Sequence, residues 1–355
     1  MQITNVQIVP IELNLRVPHR AAYHTAASVE RVTTVFVQIE TRQGQVAWGC
    51  AAFDPLLSGE TLESVLTACR ACADRARDLN PLNTAYALSE LSKLTPDNPS
   101  VQCAFDMAFH DLLGLAAGLP LHRLLGGYRR RIQTSITLNV GPVRETVEQA
   151  KNRARQGFRI LKIKGGIDPQ EDVRRVRAVD DALPHLTLRL DADQGYTVQQ
   201  ALDVARALRD KLEMLEQPTP AKDLTALRRV TEHSPVPILA DESVMGPSLA
   251  LKVATHKAAD GLSVKLATCG GLNCARQIDA IARAAHLTTM VGCINEPALL
   301  IAAGLAFALS SPSVHYGDLD GHFDLVDDPT VPGFIFEEGW LIATDVPGLG
   351  CTVEL

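Results

Sequence analysis

The chain has 355 residues, 46% of them hydrophobic, and a formal net charge of -7 at pH 7. This length predicts about two domains with a sizeable core, and the acidic balance argues against a nucleic-acid partner, because such proteins usually carry a basic face. The longest uncharged apolar run, residues 297–309, is shorter than the roughly 20 residues of a spanning helix, so we expect no membrane partner and a small-molecule ligand.

Both the amino terminus and the cysteines are typical of a cytoplasmic protein. The opening sequence, MQITNVQIVP, lacks the basic region of a signal peptide and predicts a strand. The eight cysteines are scattered, and the CxxC pair of Cys69 and Cys72 has no second pair at zinc spacing. Because disulfides are typical of secreted domains, we expect free thiols in a reducing cytoplasm.

Residues 1–125 predict an α+β domain. The beginning of this part has the pattern of a strand meander, with a Gly-containing turn at 42–45, and three helical stretches follow. Two polar loops, PHRAAYHTAAS between the first two strands and CAAFDPLLSGE further on, are long enough to indicate a functional role.

Residues 126–320 show a different pattern, in which charged residues close short apolar runs. The first strand is predicted at IQTSITLNV. Beyond it, the charged residues that close the runs are spaced 24 to 29 residues apart between Lys162 and Lys265. A strand, a helix and two loops have about this length. Each run is continuously apolar, as expected for parallel strands covered on both faces. The pattern predicts a (β/α) barrel with its active site at the carboxyl ends of the strands. Residues 321–355 lack the pattern of an eighth outer helix, and we expect them to return to the first domain.

Three of the charged residues, Asp191, Glu216 and Asp241, end successive strands and would converge on one side of the barrel mouth. Three carboxylates this close repel one another unless a cation neutralises them, and an all-oxygen set suits a hard cation. One such acid alone would more simply cap a helix or form a salt bridge, but three in phase with the repeat favour a metal site. The expected ion is Mg²⁺, with Mn²⁺ as a substitute.

Lysines close two of the other runs. Lys162 and Lys164 are two apart on one strand, so both side chains point to one face, while Lys265 ends a strand across the mouth. A lysine is costly to bury without a partner. A divalent cation between these lysines would lower their pKa values and allow them to act as general bases. Bases on opposite faces of a planar enolate predict 1,1-proton transfer, which is racemisation or epimerisation.

The motifs KIK, LDAD, EQP, ADES and VKL, in this order and spacing, resemble those of the enolase superfamily, specifically its muconate-lactonizing subgroup, over essentially the whole chain. The resemblance implies an α/β fold in which an α+β capping domain (1–125) covers a modified (β/α)7β barrel (126–320) and the C-terminal segment (321–355) returns to the cap. It also implies Mg²⁺ ligands at Asp191, Glu216 and Asp241, an acid/base pair of Lys164 and Lys265, an enolate-supporting Lys162, and a polar residue of the seventh strand end at Glu296.

Asp318 and Asp320 form a DxD at the end of the eighth strand, which resembles the dipeptide epimerases of this subgroup. There the two aspartates hold the α-ammonium group of the dipeptide, and alternate residues can clamp one cation because they share a face. A solvated strand end is the simpler alternative, since further acids follow downstream. The resemblance implies a Mg²⁺-dependent epimerase of L,L-dipeptides that inverts the α-carbon of the C-terminal residue.

Three loop residues bear on the side chain of that substrate. Ala-Glu epimerases resemble this chain around YHTAAS but place an arginine, which binds the acidic side chain, where His24 stands. Asp54 and Asn295 lie in loops expected near the side-chain pocket and favour a cationic or neutral substrate. With His24, Asp54, Asn295 and Glu296 as candidate substrate-binding residues, we expect a hydrophobic or cationic side chain rather than an acidic one.

Other reactions on the same scaffold stay open on the sequence alone: an Ala-Glu epimerase, a muconate-type cycloisomerase, an o-succinylbenzoate synthase or an N-acylamino acid racemase. A muconate-type substrate or an N-acylated amino acid has no free ammonium group and needs no clamp. A non-catalytic descendant would have lost site residues, whereas every expected acid and lysine is present. The family is often oligomeric, so a homo-oligomer is also open.

Overall fold

The structure is a computed structural model that describes residues 1–19, 22 and 28–355. Its amino-terminal part begins with an antiparallel sheet of three strands in the order β1–β2–β3, as the meander pattern predicts. The strands are β1 (Ile3–His19), β2 (Val29–Thr41) and β3 (Val46–Ala52). Gly44 occupies the left-handed region in the turn between β2 and β3, with φ at 79°.

Five helices follow this sheet, and we call the sheet and these helices the cap. The helices are α1 (Pro55–Ser58), α2 (Leu62–Ala76), α3 (Thr84–Ser92), α4 (Pro99–Ala117) and α5 (Leu121–Leu125). A capping box of Thr61 and Ser64 begins α2. Helix α4 packs closely on β3, because a Cβ atom added to Gly49 would lie 1.9 Å from the carbonyl oxygen of Ala104.

Beyond the short strand β4 (Arg131–Gln133), eight parallel strands form one sheet in sequence order. They are β5 (Ser135–Leu138), β6 (Ile160–Lys164), β7 (Thr187–Asp191), β8 (Leu212–Glu216), β9 (Ile238–Ala240), β10 (Gly261–Lys265), β11 (Thr288–Gly292) and β12 (Val314–Gly317). A parallel bridge between Thr134 and Gly317 brings the first and last strands together. The sheet is therefore closed into a barrel.

Helices connect these strands on the outside of the barrel. They are α6 (Val143–Arg155), α7 (Pro169–Ala182), α8 (Val198–Ala207), α9 (Leu224–His233), α10 (Pro247–His256), α11 (Leu266–Cys269), α12 (Leu272–Ala284) and α13 (Ala298–Ser310). Helix α11 is a short turn after β10, and each of the other seven fills one gap between successive strands. This arrangement confirms the predicted (β/α)7β barrel. Helix α13 is apolar on all sides because it packs against both β11 and the cap strand β3.

The C-terminal segment contains four short strands, β13 (Thr330–Val331), β14 (Phe334–Glu337), β15 (Trp340–Ala343) and β16 (Thr352–Val353). Strand β15 pairs with β4 below the barrel. The segment also contacts the cap: Arg16 donates its backbone N–H to the carbonyl oxygen of Asp324 at 2.7 Å, and Leu349 donates to Oδ1 of Asp111 at 2.7 Å. The segment thus ties barrel and cap together, while the exact domain limits at 125 and 320 stay a prediction.

Two predictions from the composition concern membrane-spanning helices and the state of the cysteines. In the described part of the chain, none of the helices combines the length and the apolar character that a bilayer crossing requires. All eight cysteines lie among the described residues and are free thiols.

Candidate active site

Three carboxylates lie together at the barrel mouth. Asp191 and Glu216 are the last residues of β7 and β8 and face each other in the strand register, and Asp241 directly follows β9. Each offers an oxygen atom within 4.8 Å of the others, and all three are buried. We call this group the acidic triad. The side chains converge because the three strands are neighbours in a parallel barrel, as their spacing in the sequence predicts.

The electrostatics of the triad fit a divalent cation. Burial raises the pKa of Glu216 well above its usual value, and the charge of Asp191 raises it further. Its Oε1 atom is buried without a hydrogen-bond partner among the residues that the structure describes. Burying a carboxylate oxygen without a hydrogen-bond partner destabilises the folded state. An all-oxygen set of this kind suits Mg²⁺, which would neutralise the three charges and take up the orphaned oxygen.

Two lysines flank the triad from opposite walls. Lys164 ends β6 and Lys265 ends β10, and these strands are second and sixth in the eight-stranded order, so they stand across the closed barrel from each other. The Nζ atom of Lys164 lies 2.8 Å from Oδ2 of Asp191, and that of Lys265 pairs with Oδ2 of Asp241. Each lysine therefore contacts one outer member of the triad.

Lys162 lies deeper on β6. Its Nζ atom pairs with Oδ2 of Asp318 and lies 3.5 Å from Asp191 Oδ2 and 3.6 Å from Glu216 Oε2. Burial lowers the pKa of Lys162, but the surrounding carboxylates, Asp318 first, outweigh it and raise the pKa well above its usual value. Burial likewise lowers the pKa of Lys265, but the nearby carboxylates, Asp241 foremost, outweigh this effect and raise that pKa well above its usual value. The sequence predicted lowered lysine pKa values for a site that holds a divalent cation. The charge of such a cation lowers the pKa of a neighbouring lysine, whereas the carboxylates raise it.

The two aspartates of the DxD occupy different positions. Asp318 is fully buried, where its Oδ1 atom accepts a hydrogen bond of 2.5 Å from the hydroxyl of Ser135 and its Oδ2 atom pairs with Lys162. Asp320 reaches the cavity described below, and its Oδ2 atom accepts the backbone N–H of Thr137 at 2.6 Å. Burial raises the pKa of Asp320, and the charge of Asp318 adds to this effect. The alternate spacing places both aspartates near Lys162, but at different depths.

A cavity of about 540 Å³ lies between the cap and the barrel mouth. Lys162, Lys164 and Lys265 line its barrel side, together with Asn295 and Asp320. The cap contributes mainly apolar side chains, which are Val17, Val29, Val32, Phe53, Pro55, Leu56 and Leu62. It also contributes the polar or charged His19, Arg31, Thr33, Asp54 and Thr61.

The remaining predicted substrate-binding residues differ in position. Asp54 lines the cavity and also begins helix α1, because its Oδ1 atom accepts the backbone N–H of Leu56 at 2.9 Å. Glu296 is 1% exposed and is not among the described residues that line the cavity. Its Oε2 atom accepts the backbone N–H of Ile294 at 3.3 Å, and burial raises its pKa to about 8. His24 lies outside the described residues.

The structure adds residues that sequence reasoning missed. Asp193 places its Oδ1 atom 2.7 Å from Nζ of Lys164. Ser135 and Thr137, alternate residues of the first barrel strand, bond the two aspartates of the DxD. The thiol of Cys293 lies 3.3 Å from Asp320 Oδ1. Asp193 had a signal in LDAD, since it is the second acid of that motif; the others depend on pairings between distant strands.

Comparisons with known proteins find similarity over nearly the whole chain. The family model "Mandelate racemase / muconate lactonizing enzyme, N-terminal domain" matches residues 3–126, and "Enolase C-terminal domain-like" matches residues 145–354. The L-Lys-D/L-Arg epimerase of Methylococcus capsulatus is 37% identical over 360 residues, which cover 99% of both chains.

Two solved structures extend the similarity to the fold. A dipeptide epimerase from Methylococcus capsulatus complexed with Mg and the dipeptide L-Arg-D-Lys is 35% identical, with a TM-score of 0.92 and coverage of 100% of both chains. A substrate-liganded complex of the L-Ala-D/L-Glu epimerase from Bacillus subtilis is 31% identical, with a TM-score of 0.96 and the same coverage.

Proposed function

The chain belongs to the mandelate racemase / muconate lactonizing enzyme family of the enolase superfamily, and from this premise we propose that it is a Mg²⁺-dependent dipeptide epimerase. The observation that carries the proposal is the position of Lys164 and Lys265 on opposite walls of the barrel, with the acidic triad between them. A pair of bases on the two faces of one carbon atom suits inversion of that carbon.

The proposed reaction inverts the α-carbon of the C-terminal residue. One lysine, in its neutral form, takes the α-proton on Nζ, which leaves a planar enolate. The opposite lysine, as an ammonium group, returns a proton to the other face, so the configuration is inverted and the two lysines exchange protonation states. Mg²⁺ held by the triad would supply positive charge for the substrate carboxylate as the α-proton leaves. Lys162 adds a further positive charge beneath this site.

The α-ammonium group of the substrate would bind at the DxD. Asp320 presents its carboxylate to the cavity, and the charge of Asp318 lies behind it, already shared with Lys162. An ammonium group held between carboxylates forms charge-assisted hydrogen bonds. This polar end favours a free-amine dipeptide over a muconate-type substrate or an N-acylated amino acid.

The side chain of the C-terminal residue is proposed to be hydrophobic or cationic. The cap face of the cavity is largely apolar and carries the acid Asp54. Asp324 also lines the cavity, and its carboxylate is paired with Arg153. The cap residue Arg31 lines it as well, but its guanidinium is engaged by Glu12 at 2.7 Å. The similarity to the L-Lys-D/L-Arg epimerase supports a cationic side chain in particular.

A panel of dipeptides incubated with enzyme and Mg²⁺ in D2O tests the proposal. We expect deuterium at the C-terminal α-carbon, fastest for Lys, Arg or large apolar residues, as measured by mass spectrometry. Each N-acetylated dipeptide serves as the matched control and should exchange far more slowly, because it has no ammonium group. Strict preference for Ala-Glu would contradict the side-chain proposal. Turnover of N-acylated amino acids or muconate-type substrates in place of free dipeptides would contradict the reaction.

A further inference from the structure

Asp193 lies in an unusual turn directly beyond the triad residue Asp191. Its φ angle is 42°, and that of Gln194 is 68°, so two successive residues that are not glycine occupy the left-handed region. This conformation is unfavourable for residues with a Cβ atom. The turn brings the backbone N–H of Asp193 within 3.1 Å of Asp191 Oδ1 and points the Asp193 carboxylate back toward the barrel mouth.

The buried carboxylate of Asp193 contacts the lysine of one wall. Its Oδ1 atom lies 2.7 Å from Nζ of Lys164, which also lies 2.8 Å from Oδ2 of Asp191. Its Oδ2 atom accepts the backbone N–H of Ala22 in the cap at 3.4 Å. Lys265, on the opposite wall, has a carboxylate partner within salt-bridge distance in Asp241 alone among the described residues. The two lysines therefore differ in how they are held.

The difference matters when the triad holds its cation. Asp191 and Asp241 would then direct their oxygens to Mg²⁺, which weakens their hold on the lysines. Asp193 is not part of the group whose oxygens converge within 4.8 Å of one another. It stays available to Lys164. Among the described residues Lys265 has no second carboxylate within salt-bridge distance, and the neighbouring Glu242 acts on it only through its charge.

We propose that Asp193 is a positioning residue for Lys164, which keeps the Nζ atom at the substrate's α-carbon while Asp191 serves the metal. The proposal rests on the proposed function, since it assigns Asp193 to one of the two bases of the epimerase. It has a stereochemical consequence. Asp193 supports proton transfer on one face of the α-carbon only, so its loss affects one epimer of the substrate more than the other.

The test compares initial rates of α-proton exchange in D2O for the two epimers of a dipeptide that the wild-type enzyme accepts. K164A identifies the epimer whose proton faces Lys164, and K265A identifies the other. D193A should slow exchange of the epimer assigned by K164A by about tenfold or more, as expected for a misplaced base, and leave the other epimer within about twofold. D193N should be intermediate, because its amide oxygen still accepts a hydrogen bond from Nζ.

Mg²⁺ binding, measured by calorimetry without substrate, separates positioning from ligation. D193N should bind Mg²⁺ nearly as tightly as the wild type, well short of the ~10–100-fold loss expected when a group that orients a metal ligand is removed. Circular dichroism and the melting temperature of D193N establish that the isosteric variant folds.

Four outcomes would overturn the inference. Equal slowing of both epimers, or no slowing of either, in D193A would remove the link to Lys164 while leaving the epimerase intact. Loss of Mg²⁺ affinity by more than about tenfold in D193N would make Asp193 part of the metal site instead. Absence of exchange with every dipeptide in the wild type would overturn the proposed function and the inference together.

Discussion

Glu296 is a buried acid without a direct part in the proposed chemistry. It follows β11, accepts one backbone N–H, from Ile294, and lies near Cys50 and Cys103 of the cap. Burial raises its pKa from 4.5 to about 8. Because the folded chain binds this proton more tightly than the unfolded chain, the residue links folding to pH.

The E296Q variant tests this linkage. Below pH 4.5 both states of the wild type hold the proton, and between pH 4.5 and about 8 the folded state alone holds it. The free energy of unfolding therefore falls as pH rises through this window, by at most about 1.4 kcal/mol per pH unit from this group. Glutamine does not titrate, so the difference in stability between E296Q and the wild type should shift in favour of E296Q from pH 5 to 9.

Urea unfolding at several pH values measures the effect of E296Q. The exposed Glu145, changed to Gln, is the matched control and should follow the wild-type pH profile. A pH-independent difference between E296Q and the wild type would show that the carboxyl group ionises in the folded protein much as it does in the unfolded chain.

At the scale of single elements, helix α12 has a cap that comes from another part of the chain. Gly271 begins the helix and has no side chain, and Asp106 of helix α4 supplies the acceptors instead. Its carboxylate accepts the backbone N–H groups of Leu272 at 3.1 Å and Asn273 at 2.9 Å. Asp106 also lies 2.9 Å from Nδ1 of the buried His110. The contact therefore joins the cap to the barrel.

The D106A variant should lose more stability than an ordinary capping variant. The change leaves the buried N–H of Leu272 and the half-buried N–H of Asn273 without their acceptor, and it removes the carboxylate beside His110, whose Nδ1 keeps the backbone carbonyl oxygen of residue 106. We expect a loss of about 2–3 kcal/mol. D168A is the matched control, since Asp168 caps α7 at the protein surface with hydrogen bonds to Gln170 and Glu171; it should cost about 1 kcal/mol. Chemical denaturation measures both, and equal losses would argue against a special role for the cap–barrel contact.

Element patterns explain which parts of the fold were predictable. The barrel strands are readable because helices cover them on the outside and each apolar run ends in a charged residue at the mouth, as at Lys164 and Glu216. The run IQTSITLNV was predicted as one strand, but the structure divides it into β4 and β5. Strand β4 pairs with β15 of the C-terminal segment, a partner about 200 residues away that no local pattern reveals.

The same distinction holds within the site. The triad and the three lysines follow from strand periodicity, whereas the depth of Asp318 does not. Its position depends on Ser135, which is 183 residues away and meets it because the barrel closes between the first and last strands. The resemblance of the DxD to the dipeptide epimerases and its alternate spacing indicated a clamp of two aspartates on one face, whereas the tertiary pairing with Ser135 and Lys162 places Asp318 deeper than Asp320.

At the scale of the whole molecule, the cavity requires both the cap and the barrel. The barrel supplies lysines and acids, and the cap supplies the apolar wall. The C-terminal segment holds these parts together, because Asp324 bonds Arg16 of β1 through its backbone and Arg153 of α6 through its carboxylate. Under the proposed function, the barrel carries the chemistry and the cap contributes most of the apolar wall that faces the substrate side chain, so a change in the cap wall leaves the barrel site the same.

The Mg²⁺ site should also contribute to the stability of the whole fold, because its three carboxylates come together only in the folded barrel. A ligand that binds the folded state alone, present at 100 times its dissociation constant, stabilises the fold by about 2.7 kcal/mol. For a chain of 355 residues this corresponds to a melting temperature higher by roughly 3–4 °C. Thermal melts with Mg²⁺ and with a chelator measure this increment. E216Q should abolish most of it, whereas D324N, which changes a cavity acid outside the triad, should retain it. An equal Mg²⁺ response in E216Q and the wild type would mean that the ion binds elsewhere, and the substrate carboxylate would then have no cation to hold the α-carbon between Lys164 and Lys265.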